Sequence, residues 1–291
     1  MVDAELNQPI PSAPAEVCAA VRSSARMRLF VRQVEILLGS VDGLECLDIG
    51  GGGWASLLFR QWGGRWTSAE GPGLGLECLR YLCGGERVVQ LEGSRLPLSD
   101  HAFDVVLIAS GLDQWPDPLS LVKECHRVLK PAGRLVVNVP FAARVQPLRW
   151  LGLEMVRGFT VSSVFELLKD GFDLQECRRY SRLLIELADA WARWWARRHV
   201  LHETASTASS AVAWCHAMAT SWRRWSWLAW AATQLDAFLF LSPGYRLVVR
   251  ARRRLWIPRK VPTENGRARM ADAVRVGRAG SAALPETEAS A

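Results

Sequence analysis

At 291 residues, with 49% hydrophobic and 22% charged side chains, the chain can bury a full core and is too apolar to be disordered throughout. Seven cysteines, Cys18, Cys46, Cys78, Cys83, Cys125, Cys177 and Cys215, are odd in number and include no C-x-x-C, which argues against a disulfide framework or a zinc cluster and for a reducing, cytoplasmic compartment. The net charge of +7 belongs to the C-terminal end, where eleven Arg or Lys against Glu264 and Asp272 between Gly244 and Arg278 leave the rest at minus two; it reads first as a solvated basic tail, with contact to an anionic membrane surface or RNA as the lesser reading.

Residues 1–15 are Pro-rich and polar and lack the basic and apolar regions of a signal peptide. From Ala15 to Leu38 the spacing of Val17, Val21, Met27, Phe30, Val34 and Leu38 predicts a helix, so 1–38 forms an N-terminal segment and helix. Leu44, Cys46, Leu47 and Ile49 read as the end of a buried parallel strand. It stops at four glycines, Gly50 to Gly53, before an apolar helix over Ala55 to Trp62. Glycine lets a ligand approach the backbone closely, and the free N–H groups and dipole of a helix start favour a negatively charged group. A nucleotide-like cofactor fits such a turn. Gly50, Gly52 and Ala55 also occupy dinucleotide-binding positions, with Glu70 twenty residues after the first glycine, so the turn alone does not choose the cofactor.

A second strand, Arg65 to Ala69, ends at Glu70, and Gly71-Pro72-Gly73 starts a helix toward Cys83. Arg87 to Leu91 is a third strand, followed by a loop from Glu92 to Leu98. Phe103 to Ala109 is a fourth, apolar enough to be buried on both faces. Pro118 to Leu129 is helical, Lys130 to Gly133 turns, and Arg134 to Val139 is a fifth strand. This alternation predicts an α/β fold, a doubly wound Rossmann-like sheet whose ligand site lies at the C-terminal strand ends where the strand order reverses.

Further on, a helix over Thr160 to Lys169 precedes a sixth strand, Leu174 to Tyr180, and Tyr245 to Arg252 is a seventh. Between them, 181–243 is a helical insertion holding eight of the fourteen tryptophans. Its first helix puts Leu184, Leu187, Trp191 and Trp194 on one face and Glu186, Asp189, Arg193 and Arg197 on another; a second carries Trp225, Leu228, Ala232, Leu235 and Leu239. These stripes fit core packing, a lid over an apolar acceptor, a homodimer face or a membrane-surface contact. Trp225 to Leu241 includes Gln234 and Asp236 and is too short to span a bilayer. Residues 258–291 read as a disordered basic tail. The five histidines show no metal-ligand spacing, and no metal is expected.

LDIGGGGW, SAEGPG and LEGSRLPLSDHAFDVVLIASGLDQWPDPLSLVKECHRVLKPAGRLVVNVP together resemble the class I S-adenosylmethionine-dependent methyltransferases, in particular the small-molecule branch that includes quinone-biosynthesis enzymes. The resemblance covers roughly Leu44 to Pro140. It implies a sheet order 3-2-1-4-5-7-6 with strand 7 antiparallel, and a methyltransferase core of 39–180 plus 244–257. By the same resemblance Gly50, Gly51 and Gly52 cradle the cofactor, Asp48 faces its methionine ammonium, and Glu70 accepts from both ribose hydroxyls. Glu92 approaches the adenine, Gly93 lets the base pack closely, and Ser110 lies at the cofactor's edge. Trp54 stands where the family has a last glycine, and Glu92 where it has Asp. Asp113-Gln114 replaces a common His pair, making Asp113 the candidate general base.

The implied reaction moves the methyl of S-adenosylmethionine to a small, apolar or lipid-like metabolite in the cytoplasm or on the inner membrane face. Placement supplies most of the rate, and a base is needed only for a nucleophile of high pKa. A non-catalytic binding module with this fold is the alternative. An NAD-dependent oxidoreductase is disfavoured by Asp48 and by the lack of a Tyr-x-x-x-Lys pair.

Overall fold

The computed structural model describes residues 13–85, 87–93, 95–110, 112, 113, 115, 117–142, 158–203, 210–239, 244–255, 263, 264, 267 and 268. Most of the N-terminal stretch and of the expected tail over 258–291 lies outside them. Within the latter, Thr263–Glu264 and Arg267–Ala268 pair as a two-stranded antiparallel ribbon.

Helix α1 (Ala15–Ala20) and helix α2 (Ala25–Leu38) occupy the stretch predicted as one helix. Ser24 divides them: its backbone is extended, and its hydroxyl accepts the Met27 N–H at 3.2 Å, capping α2. Strand β1 (Glu45–Ile49) leads through the glycine turn to α3 (Trp54–Phe59); β2 (Arg65–Glu70), α4 (Leu74–Cys83), β3 (Val88–Gln90) and β4 (Phe103–Ile108) follow. Then come α5 (Pro118–Val128), β5 (Leu129–Pro140), α6 (Val161–Leu168), β6 (Phe172–Tyr180) and β7 (Arg246–Arg253).

The seven strands run in the order β3-β2-β1-β4-β5-β7-β6, with β7 antiparallel to both neighbours. One face of the sheet buries Leu121, Cys125, Val164 and Leu168 from α5 and α6; the other buries Phe30, Val34, Leu37 and Phe59 from α2 and α3. Helices on both faces explain why β4 reads as an apolar run apart from Asp104 near its start, which pairs with Lys130. The turn expected over Lys130 to Gly133 is absorbed into β5. Pairing with β4 jumps from Phe103–Leu129 to Val105–Arg134, and Ala132 takes a φ of 61°, so these residues bulge from the strand edge.

Among its described residues the insertion holds three helices, α7 (Leu183–Glu203), α8 (Ser210–Arg224) and α9 (Ser226–Leu239), of which α8 has no counterpart among the predicted elements. Helix α8 buries Cys215, Met218 and Trp222 against Trp54, Tyr81 and Leu82. Helix α7 faces the opposite way from simple amphipathic packing: Glu186 and Asp189 are 3% and 5% exposed, against 44% for both Trp191 and Trp194. Trp191, Trp194 and Leu184 instead line an outer apolar groove of about 520 Å³ shared with Leu228 and Leu235 of α9. No helix among the described residues is long and apolar enough to cross a membrane.

Candidate active site

The sheet places the glycine turn where the strand order reverses. Ile49 is in register with Ala69 of β2 on one side and Ile108 of β4 on the other, so the turn emerges between two strand ends. The Gly50 N–H donates to the Ala69 carbonyl at 3.0 Å, and the Ser110 hydroxyl donates to the Gly50 carbonyl. Gly50 has a φ of 71°, and a Cβ there would collide with the Ser110 carbonyl oxygen. Gly52 has a φ of 58°, and a Cβ on it would meet no protein atom within 4 Å. The turn is therefore packed against protein at one residue and open to a ligand at another.

Two acids stand directly behind this turn. The Asp48 carboxylate is fully buried and accepts the hydroxyls of Ser56 and Ser68, the latter at 2.7 Å; Arg60 in turn donates to the Ser68 oxygen at 2.9 Å. Burial pushes its pKa up, the two hydroxyls and Arg60 pull it back, and the result is about 6. Glu70, at the end of β2, accepts the Gly52 N–H at 3.0 Å and the Gly71 N–H at 3.3 Å; burial raises its pKa as well. Glu92 and Gly93 are exposed in the turn after β3, and Asp113 is half-buried in the turn after β4.

Because its pKa in the fold lies above the unfolded value of 3.8, the Asp48 carboxyl contributes stability below about pH 4 that is lost as pH rises to about 6. Asp48→Asn is expected to flatten that part of the stability profile, measured as urea midpoints from pH 4 to 7 beside the wild type. A variant curve parallel to the wild type would show that Asp48 does not titrate there.

In front of the turn lies a cavity of about 740 Å³, within the ~300–1,000 Å³ range of small-molecule sites. Gly50, Gly51, Gly52 and Ser110 line it on the strand side, as do Leu74 and Gly75 at the start of α4. Asp48 and Glu70 support that lining from behind, whereas Glu92, Gly93 and Asp113 are not part of it. The opposite wall is helix α8, through Trp214, Met218 and Trp222. Trp222 meets Trp54 edge to face with ring centroids 4.8 Å apart. Trp54 thus fills the space between the turn and the insertion.

A polar end wall went unread in the sequence. Asn138 of β5 donates to the Ala109 carbonyl at 2.7 Å and accepts the Tyr180 hydroxyl at 2.7 Å; both side chains line the cavity. Burial raises the Tyr180 pKa, so its hydroxyl keeps its proton and acts as a donor. Arg26, Asp189, Arg193 and Arg246 complete the wall. A signal for α8 existed: Trp214, Met218 and Trp222 recur every fourth residue, a helical stripe.

Residues 47–137 match the family described as methyltransferase domain. A demethylmenaquinone methyltransferase of Staphylococcus aureus is 32% identical over 109 residues, 34% of this chain and 44% of that protein. The ubiquinone/menaquinone biosynthesis C-methyltransferase UbiE of Idiomarina loihiensis is 33% identical over 123 residues, 38% of this chain and 48% of that protein. The chain thus spans less than half the length of either relative. In fold, it is similar to a SAM-dependent methyltransferase of Thermotoga maritima, with a TM-score of 0.51 at 14% identity over 81% of this chain and 92% of that one. The [4+2]-cyclase SpnF is similar at a TM-score of 0.50 and 17% identity, over 86% of this chain and 100% of that one.

Proposed function

We propose that this protein is a class I S-adenosylmethionine-dependent methyltransferase of the branch that includes quinone-biosynthesis enzymes and that it methylates a small, lipid-like metabolite, a reading supported by the methyltransferase-domain match over residues 47–137 and by the two relatives above. The observation that carries the proposal is one cavity bounded by the glycine turn on one side and the Trp-rich wall of α8 on the other.

The residues present suit the cofactor. Gly52 leaves the space a nucleoside needs, and Glu70 holds a carboxylate beside it that can accept ribose hydroxyls in place of, or along with, the turn N–H groups. Asp48 sets a buried carboxylate one layer behind, where it offsets a positive ligand through Ser56 and Ser68. When bound, S-adenosylmethionine supplies a methyl group on an activated sulfonium leaving group. The protein's part is placement: Trp214, Met218 and Trp222 exclude water and press an apolar acceptor toward the turn, while Asn138 and Tyr180 offer hydrogen bonds that orient it. Asp113 lies outside the cavity lining, so the proposal assigns the rate to orientation rather than to proton removal by that residue.

In this reading 181–243 is the acceptor-side wall added to a core of 39–180 and 244–257. The protein works in the cytoplasm, which its seven free cysteines support.

Glu70→Ala is expected to weaken S-adenosylhomocysteine by about 1–3 kcal/mol, the range for hydrogen bonds to a charged group. Calorimetry with NAD in parallel checks the cofactor class. Unchanged S-adenosylhomocysteine affinity in the variant removes the ribose role, and preferential NAD binding by the wild type removes the methyl-transfer proposal. A labelled-methyl screen against cell extracts and isoprenoid acceptors then identifies the acceptor.

A further inference from the structure

The wall of the cavity away from the glycine turn holds charges that methyl transfer to an apolar acceptor does not use. Asp189 of α7 bridges two guanidiniums, Arg26 at 2.7 Å and Arg193 at 3.0 Å. Glu186, one turn earlier, accepts from Arg246 at 3.1 and 3.5 Å and from the Ser181 hydroxyl at 2.6 Å. Burial raises both acids, but Arg246 and Arg26 outweigh it, and each ends below the usual carboxylate range. Both therefore stay ionised, and guanidinium does not give up its proton. Arg26, Arg193 and Arg246 face Asp189 and Glu186, so these five side chains carry one net positive charge, and a fourth arginine, the exposed Arg197, also lines the cavity. Burial, reinforced by the neighbouring Arg26 and Arg246, depresses the Arg193 pKa despite Asp189 beside it. The Arg193 side chain is 35% exposed and lines the cavity, so an anion entering there can reach it, and a partly desolvated guanidinium gains by pairing with one. The neighbouring α8 wall has an unmet need of its own, since the buried indole N–H of Trp222 has no hydrogen-bond acceptor among the described residues.

We propose that Arg26, Arg193 and Arg246 form a carboxylate subsite and that the acceptor is an amphipathic acid, its anion on these guanidiniums and its apolar body against Trp214, Met218 and Trp222. This rests on the methyl-transfer reading above. The cavity is divided by charge: acids back the glycine turn, and arginines line the far wall. Arg193, Asp189 and Glu186 all come from the insertion, the part this chain adds to the shared sheet, where acceptor choice is expected to reside. The bound carboxylate is the anchor rather than the methylated group, because guanidinium hydrogen bonds occupy its lone pairs.

The test is calorimetry of the full-length protein with 2-naphthoate and its uncharged methyl ester, with and without S-adenosylhomocysteine, on wild type and Arg193→Gln. Asp189 keeps Arg26 in that variant. The acid is expected to bind wild type at least tenfold tighter than the ester, and the variant to lose about tenfold or more in acid affinity alone, the loss typical of a hydrogen bond to a charged group. Equal binding of acid and ester overturns the subsite. So does a variant that loses S-adenosylhomocysteine rather than naphthoate affinity, since the arginines would then hold the cofactor's own carboxylate. Should S-adenosylhomocysteine not bind the wild type, the methyl-transfer reading fails, and the acid–ester contrast on the ligand-free protein still judges the subsite. That contrast needs no variant, so it decides for or against the subsite even if Arg193→Gln fails to fold.

Discussion

Arg246→Ala is expected to destabilise the protein by about 3–5 kcal/mol, the cost of leaving one member of a buried ion pair without its partner. Glu186 is almost fully buried, and Arg246 meets it with two N–H groups, leaving the Ser181 hydroxyl as its other hydrogen-bond donor. In the wild type the Glu186 pKa is depressed, so the pair's contribution is complete above the unfolded carboxylate pKa, near 4.3, and fades as pH falls below it. Without Arg246 the same burial has less to oppose it, and Glu186 is expected to titrate above its ordinary value. The variant's deficit should then shrink on acidification, as Glu186 takes up a proton in the fold before it does in the unfolded chain. Urea unfolding of wild type, Arg246→Ala, Glu186→Gln and the double variant, at pH 5 and 8, measures this. Additive costs across that cycle would show that the two side chains do not depend on each other.

Gly50→Ala is expected to cost about 2–5 kcal/mol, combining a positive-φ penalty of roughly 1–2 with an overpacking penalty of about 1–3. The clash is with backbone, the Ser110 carbonyl, which cannot rotate away as a side chain would. Relief requires the strand end of β4 to part from the turn, and the Ser110 hydroxyl bond to the Gly50 carbonyl goes with it. Loss of S-adenosylhomocysteine binding should therefore accompany the drop in melting temperature. Gly52→Ala shares the positive φ but meets no protein atom, so its cost in stability should stay near the φ penalty alone. Equal destabilisation by the two substitutions would rule out the backbone collision as the cause.

Much of the sheet is written in short-range pattern. Largely apolar runs such as Phe103 to Ile108, broken only by Asp104, fit buried parallel strands, and the glycines after Ile49 and the acid Glu70 mark where the first two strands end, so the position of the candidate site follows. Gly50, Gly51, Gly52 and Ser110 indeed meet at one cavity, with Asp48 and Glu70 behind them. Glu92, Gly93 and Asp113 lie in loops whose course depends on what packs against them, and they are not part of that cavity's lining. The division of Ala15 to Leu38 into two helices turns on Ser24, whose capping role is visible only once the Met27 N–H is seen to point at it.

What the sequence by itself determined is the alternation of strands and helices and the glycine turn, because burial on two faces and a positive φ leave their marks within a few residues. What only the tertiary structure decided is which way the insertion faces. A helix with leucines and tryptophans on one side and acids on the other should bury the first, yet α7 turns Glu186 and Asp189 inward. Asp189 has one counter-charge on its own helix, Arg193, but Arg26 and Arg246 come from α2 and β7, far away in the chain, and burying both carboxylates is tolerable only where such partners converge. The Asp189–Arg193 spacing is local to α7, but the partners that let both acids turn inward are not, so the complete arginine-lined wall exists only in the folded chain.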